Sequence, residues 1–432
     1  MFVRRTCARP QDPILGALLL TLTLAAPGLA QEQAIPEDVG MSSERLELLT
    51  EVFEEYVEEG RLPGAVIRVH RVGFLVYEQA FGQRDVESGD PMESDDIFRI
   101  ASQTKAIVSA AVLMLQEEGK LLIQAPVGRY LPEYMETTVA VPREGGGYDV
   151  VPAERAITVR DLLTHTAGIG YGNGPAADRW AGAGIQGWYF AHLEEPIRET
   201  VRRMAALPMD AQPGERFVYG YNTDILGALV EVASGMALDE YLRTRIFEPL
   251  GMTDTHFYLP ADKADRLAVV YRGGPDAPLE RSPESGGMRG QGLYVDGPRT
   301  SFSGGAGLLS TAHDYARFLQ AILNGGELDG NRILSPKSVE IMTANHIGDL
   351  MGAGSGIGLG FRVVRDLGAR GQIGSEGEFS WGGAYHSTYW GDFTEDLVVS
   401  YFTQVAPAQG LDDHPKLRAL VYGAITESYG AH

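Results

Sequence analysis

The sequence predicts an α/β fold of the α+β type: one sheet completed by strands from both ends of the chain, with a mainly helical region inserted between them. Two observations carry this. Strand-like apolar runs lie near the start, at residues 64–70 and 73–81, and return only near the end, at 360–364, 379–389 and 397–403. From about 120 to 300 the pattern is helical, broken by long Gly- and Pro-containing loops. The composition agrees, since 432 residues at 44% hydrophobic and 22% charged are ample for a large core.

The elements follow in order. Residues 41–60 read as an amphipathic helix that starts at a serine cap and ends at Gly60. The two strands at 64–70 and 73–81 come next, and then a helix that begins near Ser102. Further helices are expected at 162–167, 196–206, 224–234, 238–247, 312–323 and 336–343. The glycine-rich run 352–358 does not match a dinucleotide fingerprint and reads as a flexible loop. Residues 391–396 form a turn between the last two strands, and a helix over 415–427 closes the chain. The junction of sheet and helical insert is a natural place for a cleft.

Residues 1–30 read as a signal peptide, with Arg4, Arg5 and Arg9 before an apolar stretch at 14–26 and small residues at Gly28-Leu29-Ala30. The apolar stretch is short for a bilayer crossing, so no membrane span is expected in the mature chain, which would be periplasmic or secreted. An uncleaved anchor is the alternative, and nothing around Arg4-Arg5 chooses the export route. The only cysteine, Cys7, falls in this leader. Disulfides, thiol catalysis and thiolate metal sites are thereby excluded from residues 31–432. A formal net charge of −22 makes nucleic acid and anionic membrane surfaces poor partners.

Ser102-Gln103-Thr104-Lys105 places a hydroxyl and an amine three residues apart in a chain with only five lysines. The apolar segment 106–116 that follows is helical in pattern, which puts Ser102 at or near a helix start. Side chains three apart on a helix have Cβ atoms about 5–6 Å from each other, so the amine can fold back to the hydroxyl. Backbone N–H groups at that helix end would favour developing negative charge. On these four residues alone, an N-capping serine and a solvated lysine fit as well as a nucleophile and its base.

Four further motifs accompany the tetrapeptide, in the order in which one family carries them. They are Leu162-Leu163-Thr164-His165-Thr166-Ala167-Gly168, Pro213-Gly214-Glu215-Arg216-Phe217-Val218-Tyr219, Ser303-Gly304-Gly305 through Asp314, and Trp381-Gly382-Gly383-Ala384. With them the chain resembles the serine β-lactamase and penicillin-binding-protein superfamily, in particular the class C β-lactamase-like hydrolases and family VIII carboxylesterases. The resemblance spans about 40 to 425. It implies a β-lactamase/transpeptidase-like fold with an antiparallel sheet over about 31–100 and 300–430 and a helical part over about 101–299, all one hydrolase domain at 31–430. It also implies Ser102 as nucleophile, Lys105 as base, Tyr219 as proton relay, and the N–H groups of Ser102 and Ala384 as oxyanion hole. No metal or organic cofactor is called for.

The chemistry asks for the same roles. A serine hydroxyl is a weak nucleophile without an adjacent base, and a lysine, ordinarily near pKa 10.4, serves only where its surroundings favour the neutral amine. Two departures from the family pattern bear on the reading. Tyr219-Gly220-Tyr221 replaces the usual Tyr-x-Asn, with Asn222 one step later, while the literal Tyr-x-Asn is Tyr171-Gly172-Asn173. Flanking motifs favour Tyr219, with Tyr171 as the alternative. Trp381-Gly382-Gly383 stands where β-lactamases carry Lys-Thr-Gly, so a substrate carboxylate loses a charge-assisted contact.

Trp381, Gly382, Gly383, His386 and Tyr221 are the expected substrate contacts, His386 partly replacing the missing charge. His165 and His313 read as structural. Trp180, Trp188, Tyr189 and Phe190 either line a pocket or stabilise a loop. The absence of Gly-x-Ser-x-Gly and His-Glu-x-x-His disfavours a hydrolase elbow and a zinc protease. The expected function is an exported serine hydrolase acting on a small-molecule ester or amide, with carboxylic esters preferred. β-Lactamase, D-amino-acid peptidase or transpeptidase, and acyltransferase activities are the alternatives. An idle peptidoglycan- or ligand-binding protein is the non-enzymatic one.

Overall fold

In this computed structural model the described residues are 32–274, 277–283, 291–408 and 410–430; the leader read at 1–30 lies outside them. Ser42 opens the first helix, α1 (Ser43–Glu58), by accepting from the Arg45 N–H, which satisfies one of the free donors of the first turn. Strands β1 (Gly64–Arg71), β2 (Phe74–Asp85) and β3 (Asp90–Pro91) follow, and then the helix α2 (Thr104–Glu117). The helical region contains α3 (Asn222–Ser234) and leads to α4 (Ala312–Leu323). The chain then returns to the sheet through β4 (Ser355–Ile357), β5 (Arg362–Val364), β6 (Phe379–Gly382), β7 (Thr388–Asp392) and β8 (Leu397–Thr403), and ends in α5 (Asp413–Gly423).

These eight strands form one sheet in the order β4-β5-β6-β7-β8-β1-β2-β3, every neighbour antiparallel. The two ends of the chain meet at its centre, where Ala65 pairs with Thr403 and Arg71 with Leu397. Strand alternation then divides the core in two. Ala65, Ile67, Val69, Leu397, Val399 and Tyr401 face one way, toward Leu46, Leu49 and Phe53 of α1 and Leu417 and Val421 of α5. Val66, Val398 and Phe402 face the other way, into the larger core that holds α2, α3 and α4. Helix α2 is buried all round from Thr104 to Leu115, so it runs through the protein rather than along its surface.

Several local expectations are corrected. The run 352–358 is not simply a loop: residues 355–357 pair with β5, and Ile357 donates to the Asn345 side chain at 3.2 Å. Gly356 is needed for close approach, since a Cβ there would lie 2.4 Å from Asn345 Oδ1. The single strand expected at 379–389 is two strands joined by a turn, closed by Gly383 N–H donating to Ser387 O at 2.8 Å. The helix expected at 238–247 narrows to Leu238–Leu242, continued by a wider helical turn over Arg243–Phe247. The helical region also holds two small hairpins, Thr138–Pro142 with Tyr148–Pro152 and Tyr271–Gly274 with Ala277–Arg281, which the helical reading of 120–300 passed over.

Candidate active site

Ser102 lies in a tight helical turn, Ala101–Gln103, that feeds directly into α2. It caps nothing: Gln103 is the residue before the helix, and no side chain bonds to its first turn. The turn is clamped from behind. Tyr315 of α4 donates to the Gln103 carbonyl at 2.8 Å, Leu308 N–H donates to Thr104 Oγ1 at 3.1 Å, and Ile100 N–H donates to Leu308 O at 3.2 Å. Ala101 has a φ of 44°, a left-handed backbone that an alanine adopts only when its surroundings impose it.

Lys105 is 2% exposed and reaches back as the spacing predicts. Its Nζ donates to Ser102 Oγ at 3.2 Å, Tyr171 Oη at 3.3 Å and Gly305 O at 2.6 Å, and it sits 4.7 Å from the centre of the Tyr219 ring. All three acceptors are neutral. The carboxyl nearest in influence, Asp224, is fully buried, and burial raises its pKa even though Ser303, Lys105 and the Gly305 N–H pull the other way. Its Oδ1 accepts from Ser303 Oγ at 2.6 Å and from Gly305 N–H at 3.1 Å. Asp224 thus holds the loop whose carbonyl holds Lys105. The two glycines of Ser303-Gly304-Gly305 let that loop touch α3, since a Cβ would lie 2.4 Å from Thr223 O at Gly304 and 2.4 Å from Asp224 Oδ2 at Gly305.

Both candidate tyrosines are present. Their rings meet edge to face at 5.7 Å. Tyr171 carries the hydroxyl that accepts from Lys105, and burial first, then neighbouring Tyr219, drives its pKa well above the usual value, so it stays protonated. Tyr219 offers its ring to Lys105, and its hydroxyl accepts from Trp381 Nε1 at 3.3 Å. Gly220 lets this segment cross the other, for a Cβ there would lie 2.3 Å from the Gly170 carbonyl carbon. Asn222 then bonds across to His165 Nδ1 and the Ile169 carbonyl, both at 3.0 Å. Burial, with Lys105's charge second, keeps the His165 pKa well below normal, so this ring is a neutral support 4.7 Å from that of Tyr219.

Opposite Ser102, the end of β6 comes against the nucleophile turn. A Cβ on Gly383 would lie 2.6 Å from Ile100 O, so only glycine allows this approach. Ser102, Tyr171, Trp188, Tyr219, Trp381 and the residues 382–384 border one cleft of about 730 Å³. His386 also borders it, in a left-handed conformation with φ 71°. Its Nε2 bonds to Asp413 at 2.8 and 3.0 Å, and its ring stacks on His414 at 4.1 Å.

Potential ligand atoms of His386, Asp413 and His414 lie within 4.8 Å of one another, but the Asp413 carboxylate already accepts from His386 and, at 2.6 Å, from Tyr401. Tyr221 is a correction. It is fully buried away from the cleft lining, donates to Gly187 O at 2.5 Å, and is packed between Tyr171 and Trp180, so it supports the site from behind. Of the four aromatics at 180–190, Trp188 borders the cleft while Trp180, Tyr189 and Phe190 are core. The sequence reading assigned no role to Asp224 or Gly305 and left Asn222 as an offset in a motif. Ser303-Gly304-Gly305 was the signal from which the first two were recoverable.

The model of the family described as Beta-lactamase matches residues 49–423. The chain is 35% identical over 372 residues to esterase EstB of Burkholderia gladioli, covering 83% of this chain and 90% of that one. It is 32% identical over 309 residues to a lovastatin esterase of Penicillium rubens, covering 68% and 72%. Among solved structures it is similar to EstCE1, a hydrolase with promiscuous acyltransferase activity. That match has a TM-score of 0.75 at 27% identity and covers 89% of this chain and 99% of the other. The chain therefore belongs to the β-lactamase family, with the β-lactamase/transpeptidase-like fold, and is a serine hydrolase.

Proposed function

We propose that the protein cleaves carboxylic esters through an acyl-enzyme on Ser102. The observation that carries the reading is the approach of Lys105 Nζ to within 3.2 Å of Ser102 Oγ, in a buried position where its other partners are also neutral oxygens. Lys105 Nζ, acting as the free amine, accepts the Ser102 proton as Oγ attacks the carbonyl carbon. The N–H groups of Ser102 and Ala384 hold the resulting oxyanion. Tyr219, whose hydroxyl is turned to the cleft side beside Trp381, passes a proton to the departing alkoxide. Water then attacks the acyl-serine by the reverse of these steps. The scheme uses no metal or organic cofactor.

Comparing p-nitrophenyl butyrate with nitrocefin on the purified protein tests the substrate class. Ester turnover with little nitrocefin hydrolysis is expected, because the relatives EstB and the lovastatin esterase are both named for ester cleavage; the opposite pattern overturns the reading. Fluorophosphonate labelling of wild type, abolished in Ser102→Ala, separates an enzyme from an idle binding protein. Acyl transfer to an added alcohol is the second reading, favoured by the activity stated for EstCE1. Export belongs to the same proposal and rests on residues 1–30. A periplasmic or culture fraction whose N-terminus begins at Gln31 is expected, and a cytoplasmic full-length chain refutes it.

A further inference from the structure

The chain as a whole is strongly acidic, with a formal net charge of −22, yet its cleft is not. Among the described residues that line the cleft there is no Asp or Glu, while Arg362, Arg370, Arg418, His386 and His414 all border it. Such a reversal of sign in one concave place concentrates anions there.

The three arginines are not equivalent. Arg418 is locked on buried Glu378 by two hydrogen bonds, at 2.5 and 2.8 Å, and Arg370 shares the same carboxylate at 3.1 Å. One carboxylate therefore serves two guanidinium groups. Arg362 has none. It is an exposed residue whose guanidinium carbon lies 5.9 Å from the centre of the Trp381 ring, and the one charge acting on it among the described residues is that of Arg370. Its charged end is crowded enough that desolvation, and after it Arg370, lower its pKa, though it remains a cation at any working pH. A cation with no carboxylate partner among the described residues, beside a like charge, is most readily completed by an anion from outside.

Trp381 relates this cation to the chemistry. One side of the indole bonds to the Tyr219 hydroxyl, and Arg362 lies against the ring. In the mechanism above, Tyr219 serves the leaving oxygen, so an anion at Arg362 belongs to the alcohol portion of the ester. Resting on that mechanism, we propose that the preferred substrates are esters whose alcohol portion carries a carboxylate, received by Arg362 on the neighbouring strand in place of the lysine that Trp381 replaces.

The test compares 3-carboxy-4-nitrophenyl butyrate with 4-nitrophenyl butyrate and follows the ratio of their kcat/KM values. A charge-assisted contact to one guanidinium implies that Arg362→Gln lowers this ratio about ten- to a hundredfold. Arg362→Lys should retain most of it, and added salt should shrink the preference in wild type. A ratio unchanged within twofold in Arg362→Gln overturns the proposal. Failure of the mechanism itself looks different, as loss of fluorophosphonate labelling and of turnover of both esters. In that event calorimetric binding of the two esters to Ser102→Ala, with and without Arg362→Gln, reads the same preference without chemistry, and equal binding overturns it.

Discussion

The two ends of the cleft hold their cations in opposite ways. At the nucleophile end Lys105 is buried among a hydroxyl, a phenol and a carbonyl, and the neighbouring carboxyl of Asp224 accepts from Ser303 and the Gly305 N–H. At the far end Arg418 is held by both oxygens of Glu378, to which Tyr422 also donates at 2.9 Å. A carboxylate beside a cation adds an opposite charge that favours its charged form, whereas neutral acceptors orient an amine without adding one. The first arrangement suits a base, the second a scaffold. Breaking the lysine end should therefore cost rate, and breaking the glutamate end should cost stability.

The largest effect belongs to Lys105→Ala, which should lower kcat for p-nitrophenyl butyrate by about a thousandfold or more, as removal of an activating base does. Retention of a cooperative melt shows that the loss is chemical; turnover near that of wild type sinks the mechanism. Next is Tyr219→Phe, expected to lower kcat about a hundredfold, against about tenfold for Tyr171→Phe, because Tyr171 orients the amine whereas Tyr219 serves the leaving group. A larger loss at Tyr171 would exchange the two roles. Glu378→Gln should show the contrasting behaviour. It leaves Arg418 and Arg370 without their carboxylate and should cost about 3–5 kcal/mol in urea unfolding, with kcat within a few fold. A stable but inactive Glu378→Gln would erase the distinction between the ends.

The nucleophile end was legible in the sequence because it is built from local rules. A serine and a lysine three apart meet on any helix, and glycines mark the close approaches at 304–305 and 382–383. The residues that convert this pair into a site come from far along the chain, and their contacts obey no period. Gly305 reaches Lys105 across 200 residues, and Tyr221 turned inward because Tyr171 occupies the cleft side. The hairpin over 379–392 was missed because apolar alternation continues through its turn; Gly382-Gly383, read as a motif, was also the turn signal. The arginine end was least legible. Arg362, Arg370 and Arg418 carry no motif in the sequence, and they are brought together by a strand, the short helix Leu367–Arg370 and the C-terminal helix.

Burial and neighbouring charge have a test outside the cleft. His256 accepts from Lys263 at 3.3 Å, and burial, then that lysine, bring its pKa down to about 4. His313 is likewise lowered to about 4, by burial and then by Arg68 and Arg317. Asp314 goes the other way, raised to about 6 chiefly by burial. Between pH 6.5 and 4 the unfolded chain binds a proton at each histidine that the folded chain does not, so both contributions to stability are lost as pH falls. Between pH 6 and 3.8 the folded chain alone holds a proton on Asp314, which offsets one of them. The cluster should therefore favour unfolding on acidification with a net slope of about one proton, on the order of 1.4 kcal/mol per pH unit. His256→Gln, which keeps an acceptor for Lys263 but cannot titrate, should lower the slope of stability with pH by about one proton between urea melts at pH 6 and pH 5. An unchanged slope would mean that burial and the neighbouring lysine do not keep this imidazole unprotonated.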